Sequence, residues 1–246
     1  MSPSASTAAT APLCFARDRR VARAAPTASA DAPDFASPLS LSLPNLDTHQ
    51  LPADVALALA DTLPFLRCGE ESAVHAFGRR LARRHASGDG EALAAISADE
   101  ARHAAWLEAL AARLPAPVTE PDAGVMAAFF RGLLTRDPAL HFARIAALDL
   151  AVCALLQPLV ANGTCLIAAP QVHAGLRAIR TDEARHVRVA RRCARALGWQ
   201  PEAQRRLDLE LRGELAALLQ PVQASLARLG FRGFAVSASA PRAHDD

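Results

Sequence analysis

Apolar residues recur every three or four positions along most of this chain, which is the spacing of one face of an α-helix. The pattern predicts long helices over residues 62–85, 91–113, 138–162, 170–198 and 201–230, and a short apolar helix over 125–134. Proline predicts a bend at Pro158 and a kink at Pro221. No strand-like alternation of β-branched residues competes with the helical period. The sequence therefore predicts an all-α protein.

The lengths of the connections predict how these helices are arranged. Thr62 and Pro64 are placed to open the first helix, and the glycine-rich residues 87–90 follow its end. Short loops join the first helix to the second and the third to the fourth, which indicates two antiparallel hairpins. About two dozen residues join the second helix to the third. This order is that of a ferritin-like four-helix bundle with one long crossover, here with an extra C-terminal helix.

The two ends of the chain lack the helical period. Residues 1–50 are rich in Ala, Ser, Pro and Thr, and they predict a disordered leader. Residues 51–234 make up the predicted bundle. Residues 235–246 predict a disordered tail.

The composition narrows the cellular setting and the class of partner. The chain is 51% hydrophobic but has no uninterrupted apolar run of about 18 residues, so it predicts no membrane span. A net charge of +2 makes nucleic acid an unlikely partner. The five cysteines are scattered without a Cys-x-x-Cys pair, which favours reduced thiols and a cytoplasmic protein. The acid-poor start also resembles an organelle transit peptide, but the absence of Lys and Tyr indicates a GC-rich genome as its cause.

One pentapeptide occurs twice and carries most of the chemical information. Residues 99–103 and 182–186 both read Asp-Glu-Ala-Arg-His, each within a predicted long helix. Residues three apart on a helix share a face, so the Glu and His of each copy direct a carboxylate and an imidazole to one point. Two such helices facing each other build a two-metal site; the alternative is a pair of solvated helix faces. The candidate ligand pairs are Glu100 with His103 and Glu183 with His186.

A site of this kind needs a carboxylate from each of the two partner helices. Asp149 is the only acid between Asp137 and Asp182, and it falls on the apolar face of the third long helix. A lone Asp on such a face is costly unless it is paired or bound to a cation. We therefore predict Asp149 as a ligand; the alternative is an ion pair with Arg144.

The first helix offers two adjacent carboxylates. Glu70 lies in the middle of its apolar stripe, whereas Glu71 is about 100° further round. We predict Glu70 as the ligand. Glu71 remains the alternative, and it would bring His75 towards the site.

The remaining residues of the repeat can orient the ligands. A metal-bound His usually donates its other N–H to a carboxylate, so Asp99 could serve His186 and Asp182 could serve His103. Arg102 and Arg185 could then hold the two aspartates, unless both simply decorate an exposed side of the helix. Four carboxylates and two imidazoles suit iron or manganese better than zinc or calcium.

The doubled motif, with single carboxylates on the partner helices, resembles that of the ferritin-like diiron oxygenases. The most similar patterns are those of the hydroxylase subunits of bacterial multicomponent monooxygenases, the ribonucleotide reductase small subunit and the p-aminobenzoate N-oxygenase group. The resemblance covers about residues 62–197. Three departures stand out. The chain has no Tyr for a tyrosyl radical, it has Ile179 where the N-oxygenases carry an extra His, and it has Asp149 where Glu is usual.

The resemblance implies two iron ions, or a manganese and an iron, that activate O2. The expected reaction is hydroxylation, desaturation or N-oxygenation of a small organic molecule, with an external electron donor and no membrane. A homodimer is compatible with it. Two alternatives on the same scaffold are a ferritin-like ferroxidase or metal-storage protein and a tRNA-modifying hydroxylase that uses the arginine pairs at 79–80, 83–84 and 191–192. A non-catalytic bundle with a structural site is the last alternative.

Overall fold

The computed structural model describes residues 46–77, 90–119 and 122–234, together with Cys14. Within these residues the structure is helical and contains no strand, which confirms the predicted all-α class. Two short 3₁₀ turns, Cys165–Ala168 and Gln220–Val222, lie between helices. The α-helices are α1 (Ala53–Phe77), α2 (Gly90–Ala111), α3 (Ala123–Gly132), α4 (Pro138–Leu159), α5 (Pro170–Ala196), α6 (Pro201–Leu218) and α7 (Gln223–Arg228).

Helix α1 begins nine residues earlier than its sequence predicts. It starts at Ala53, so Pro64 lies inside the helix and does not open it. Asp54 supplies the acidic residue that favours a helix N-terminus. Thr62 is fully buried, and its hydroxyl donates to the Ala58 carbonyl (2.9 Å), so it is part of a helical turn and not a cap. Residues 78–85 and the predicted turn at 87–89 lie outside the described residues.

Two hairpins form the centre of the molecule. Helix α1 packs along α2, and the Thr48 hydroxyl just before α1 donates to the Arg113 carbonyl just after α2 (2.9 Å). Helix α4 packs along α5, and His173 near the start of α5 lies 3.2 Å from the Val160 carbonyl at the end of α4. In both pairs the start of one helix therefore lies beside the end of the other, as the short loops predict.

The long crossover between the hairpins is anchored to α1. The Asp61 carboxylate, which is 5% exposed, accepts hydrogen bonds from the Val118 N–H (2.8 Å) and the Thr119 N–H (3.1 Å). Its other oxygen accepts from the Ser225 hydroxyl at 2.8 Å. One buried acid thus ties the crossover and α7 to the first hairpin. The crossover also contains α3, which packs on α1.

The C-terminal segment is divided where a kink is predicted. Helix α6 packs on α4 and ends at Leu218, and α7 packs on α1. The 3₁₀ turn that contains Pro221 separates them. Pro158, by contrast, lies inside α4, which continues through it to Leu159.

Two apolar clusters leave a layer between them. One contains the α2, α4 and α5 residues around 92–96, 142–146 and 189–194. The other contains the residues of the same helices around 106–110, 151–159 and 172–179. Both copies of the repeated pentapeptide and Asp149 fall in the intervening stretch of each helix. The polar residues of the site are therefore enclosed by apolar packing at both ends of the bundle.

Helix α4 is the most apolar of the long helices. It is the one described helix whose length and composition would allow it to cross a membrane. Somewhat more than half of that stretch is buried inside the protein, against α5 and α6, and it carries Asp149. A helix in the middle of a bundle core has the same composition.

The cysteines depart from the expectation of free thiols. Cys14 forms a disulfide with Cys68 of α1, with Cα atoms 5.5 Å apart. Cys153, Cys165 and Cys193 form no disulfide with any described residue. Leu46, which precedes the predicted start of the bundle, is buried in the core. Of the predicted leader, only Cys14 and residues 46–50 are described, and the predicted tail lies beyond the described residues.

Candidate metal centre

Six side chains from four helices converge in the polar layer between the two apolar clusters. None of them is more than 6% exposed. Glu70 comes from α1, Asp149 from α4, and each copy of the repeat contributes one Glu and one His. The six residues are Glu70, Glu100, His103, Asp149, Glu183 and His186.

Their ligand atoms fall into two groups, and Glu183 belongs to both. Glu70, Glu100, His103 and Glu183 each offer one atom within 4.8 Å of the others. Asp149, Glu183 and His186 form the second group by the same criterion. This buried acidic and histidine cluster has the composition and spacing to hold a metal ion.

The two imidazoles are oriented in the same way. His103 Nδ1 lies 3.2 Å from Glu70 Oε2, and His186 Nδ1 lies 2.9 Å from Glu100 Oε1, so both Nδ1 atoms face the carboxylates. The other nitrogens face the aspartates of the opposite repeat. His103 Nε2 is 3.2 Å from Asp182, and His186 Nε2 is 3.4 Å from Asp99.

This crossed pairing would fix which ring nitrogen keeps its proton when a metal is bound. A carboxylate in contact with Nε2 favours the tautomer protonated there, which would leave the Nδ1 lone pair for the metal. Arg185 donates to Asp182 (3.1 Å) and also to Asp99, and Arg102 donates to Asp99. The arginines of the repeat therefore pair with the buried aspartates and hold them in place.

The cluster concentrates negative charge in a buried space. Burial, together with the nearby Glu183 and Glu100 charges, raises the pKa of Asp149 well above its usual range. Burial also raises the pKa of Glu70 well above its ordinary value. Glu100 is the exception: burial would raise its pKa, but the charge on His186 together with hydrogen bonds to Glu70, His103 and His186 holds it well below the usual range. The cluster thus needs positive charge, as protons or as metal ions.

The histidines carry that charge when no metal is bound. Burial alone would lower the pKa of His186, but the charge of Glu100 and hydrogen bonds to Glu100 and Glu183 raise it to about 10. The pKa of His103 is raised well above its usual value by Glu70 and by hydrogen bonds that include one to Asp182. Protonated imidazoles stand where cations would be held in a metal-bound protein.

The donor set satisfies a direct test of fit to a metal. Asp149 Oδ2 is buried and has no hydrogen-bond partner. A buried carboxylate oxygen without a donor is costly, and coordination to a cation would remove that cost. Carboxylates and imidazoles at this spacing are the usual ligands of iron and manganese in helical bundles.

We expect the metal-free protein to lose stability as the pH rises from about 6.5 towards 10. With a folded-state pKa of about 10, His186 keeps a proton that the unfolded chain releases, so its stabilisation is complete below about pH 6.5 and is lost above it. The raised pKa values of Glu70 and Asp149 also lower the free energy of unfolding as the pH rises. Urea unfolding at pH 6.5 and 9.5 with a chelator measures the effect. Metal-loaded protein is the control, because ions replace the protons; a metal-free stability that is constant or rises with pH would contradict the expectation.

The structure also bears on the alternatives left open by the sequence. Glu70 lies in the cluster, whereas Glu71 is outside both groups of ligand atoms. The side chain of His75 lies outside the described residues. Arg144 does not pair with Asp149, because its guanidinium donates to the carbonyls of Gly132 (3.1 Å) and Leu133 (3.3 Å).

A small cavity beside Asp149 was not predicted from the sequence. It lies between α1, α3 and α4 and has a volume of about 20 Å³, roughly that of one water molecule. Phe130, Leu133, Ile145 and His141 contribute to its walls. The sequence predicts only that the short helix over 125–134 packs by its apolar face. It does not predict that this helix lies beside Asp149.

The helices that carry the repeat are in direct contact one turn from the ligands. Trp106 of α2 follows His103 by three residues and is 1% exposed. Gly175 of α5 faces it so closely that a Cβ atom built on Gly175 would lie 2.0 Å from Trp106 Cζ2. A glycine at this position lets the indole lie against the α5 backbone.

Comparison with known proteins identifies no relative. No protein-family model, no curated protein and no solved structure matches this chain. The site must therefore be interpreted from its own residues.

Proposed function

We propose that this protein is an O2-activating dimetal oxygenase or oxidase built on a ferritin-like bundle, and that it acts on a small organic molecule. The observation that carries the proposal is the pair of buried ligand groups that share Glu183. The two hairpins, with α3 in the crossover, support the ferritin-like arrangement. The resemblance of the repeated motif to diiron oxygenases supplies the reaction class.

In this proposal the chain holds two ions in one enclosed layer. Glu70, Glu100 and His103 would hold the first ion, Asp149 and His186 would hold the second, and Glu183 would contact both. Two iron ions, or a manganese and an iron, would supply electrons to O2 when reduced by an external donor.

The other residues of the layer would keep the ligands in their places. Asp99 and Asp182 hold the imidazoles by the Nε2 side, and Arg185 bridges the two aspartates. The apolar clusters above and below exclude water, which protects reactive species and strengthens the electrostatic interactions within the site. The cavity beside Asp149 has room for about one water molecule, so an organic substrate would require α3 to move relative to α4.

The tRNA-modifying alternative has less support from the described surface. Arg191 is half-buried and donates to Asp208 at 2.8 Å, so it is engaged within the protein. The pairs at 79–80 and 83–84 lie outside the described residues.

The test of this function is O2 consumption by protein loaded anaerobically with ferrous iron. We expect about two iron ions per chain to be retained. With a chemical reductant and a redox mediator, O2 uptake should continue until the reductant is exhausted. An oxygen electrode and metal analysis of the desalted protein measure both quantities.

Two controls make the result decisive. Protein loaded with zinc, which has no redox chemistry, should take up no O2. The Glu100→Ala/Glu183→Ala variant should retain no iron and should match the protein-free background. Iron-loaded protein that never consumes O2 would exclude an oxygenase or oxidase. Retention of iron far beyond two ions per chain would instead identify a storage protein.

A further inference from the structure

A cavity away from the metal centre lies where α5 turns into α6. Its volume is about 140 Å³. A water molecule occupies about 30 Å³ in the liquid, so this space is large enough for a small polyatomic ion with some water. The lining residues that matter here are Arg191, Arg195, Trp199, Gln204, Arg205 and Asp208.

The charge of the lining is positive. Arg191 donates to Asp208 at 2.8 Å, which neutralises the one acid of the lining. Arg205 pairs with Glu202 (2.8 Å) on the exposed surface of α6. Arg195 is exposed and forms no ion pair with any described residue. The N-terminus of α6 adds to the positive potential, because the Gln200 side chain turns away to the Gly198 carbonyl and does not cap it.

The lining also contains buried polar atoms with unmet hydrogen bonds. Gln204 is 7% exposed, and its Nε2 donates to the Ala143 carbonyl (3.1 Å) and to Asp208 Oδ1 (2.8 Å). Both partners are acceptors, so the amide orientation is fixed and Gln204 Oε1 is an acceptor without a donor. Arg191 Nε and Trp199 Nε1 are buried donors without acceptors.

Gln204 Oε1, Arg191 Nε and Trp199 Nε1 have almost no accessible surface, so a ligand reaches them when these lining side chains turn towards the cavity. The unmet groups then specify the chemistry of the ligand. It must carry negative charge and acceptor oxygens for the arginines and for the Trp199 N–H. It must also carry one hydrogen-bond donor for Gln204 Oε1. A hydrogen phosphate group combines these properties, since it has several acceptor oxygens and an O–H on one centre.

We propose that this cavity is a binding site for a protonated phosphate group, either the free ion or the end of a small phosphomonoester. The ligand would accept hydrogen bonds from Arg191, Arg195 and Trp199 and would donate one to Gln204. Sulfate has the same shape but no proton near neutral pH, so it would leave the buried Gln204 Oε1 unpaired. The site therefore distinguishes phosphate from sulfate by one hydrogen bond. It is independent of the metal centre and of the function proposed for it.

The chain offers a direct probe of this site, because it contains only two tryptophans. A ¹H–¹⁵N spectrum of the full-length protein should show two indole N–H signals, and the Trp199→Phe variant assigns them. Titration with inorganic phosphate at pH 7 should shift the Trp199 signal in a saturable manner. The Trp106 signal, from the core, should stay in place. Sulfate at equal ionic strength should bind at least about tenfold more weakly.

Two matched variants separate binding from general ionic effects. Arg195→Ala should weaken phosphate binding about tenfold without changing thermal stability, because its side chain makes no ion pair in the described structure. Arg188→Ala is the control, since Arg188 is also exposed on α5 but does not line the cavity. Glycerol 1-phosphate, titrated in parallel, shows whether the free ion or a monoester binds more tightly.

Each outcome of the titration decides the proposal. Phosphate binding that depends on Arg195 and exceeds sulfate binding supports it. A Trp199 signal that does not move with either phosphate compound overturns it. Equal responses to phosphate and sulfate would also overturn it, because the role assigned to Gln204 would then be wrong. The proposal is also overturned if Arg195→Ala and Arg188→Ala bind phosphate with the same affinity.

Discussion

We expect iron-loaded Glu183→Ala protein to retain neither metal ion of the proposed dimetal centre, whereas Asp149→Ala should retain one. Glu183 contributes to both groups of ligand atoms, and Asp149 contributes to the second group alone. Metal analysis after loading should therefore fall from about two ions per chain to near zero in Glu183→Ala, and to about one in Asp149→Ala. Glu108→Ala, which removes an exposed carboxylate from α2, should retain both ions.

The Glu183→Ala protein should remain folded while it loses its metals. In the metal-free state Glu183 adds to the like charge around Asp149 but also hydrogen-bonds the protonated His186, so the two effects of removing it oppose each other. Urea unfolding with a chelator should therefore show a cooperative transition with a midpoint close to that of the unmodified protein. If the Glu183 and Asp149 variants lost the same number of metal ions, Glu183 would not be a ligand of both ions.

Replacing Gly175 with alanine will destabilise the protein and weaken its metal binding. The added Cβ would meet three atoms of the Trp106 ring at 2.0 to 2.7 Å, so the indole must move or α2 and α5 must separate. Overpacking of this kind typically costs about 1–3 kcal/mol, which exceeds the gain of about 1 kcal/mol from replacing Gly in a helix. His103 lies one turn from Trp106 in the same helix, and its displacement should weaken metal binding.

Gly213→Ala is the matched control for this substitution. Gly213 lies within α6, and a Cβ atom there meets nothing within 4 Å. It should therefore raise the unfolding free energy by up to about 1 kcal/mol. Both substitutions replace a helical Gly with Ala, so the gain in helix propensity is the same. The difference between their denaturant midpoints therefore measures the packing effect at Gly175. If both variants were stabilised alike, the close contact between Gly175 and Trp106 would be excluded.

The sequence predicted the helical class and the residues of the polar layer because both depend on local spacing. A Glu and a His three residues apart must share a helix face. A second copy of the same pentapeptide is rarely produced by chance, so it favours a shared role for the two. Asp149 was identifiable because an isolated acid in an apolar helix requires a partner. Glu70 could be preferred to Glu71 from the position of the apolar stripe alone.

The features that sequence reasoning did not find depend on tertiary contacts. The start of α1 was misplaced because Pro64 was interpreted as a first-turn proline, although packing on α2 and α3 supports the helix through it. The Cys14–Cys68 disulfide joins residues 54 positions apart, which no local pattern reveals. The two repeats are identical in sequence, so only packing could show that Glu183 takes part in both groups while Glu100 takes part in one.

The exchange of partners between the two repeats has a consequence for the order of events during biosynthesis. Each histidine relies on the aspartate of the other copy, and the second copy lies in α5, about three quarters of the way along the chain. A nascent chain that has released only the first hairpin presents three ligands without their supporting aspartate. In the proposed dimetal centre, metal binding would therefore follow the emergence of α5 from the ribosome and its docking, and incomplete chains would retain no tightly bound metal.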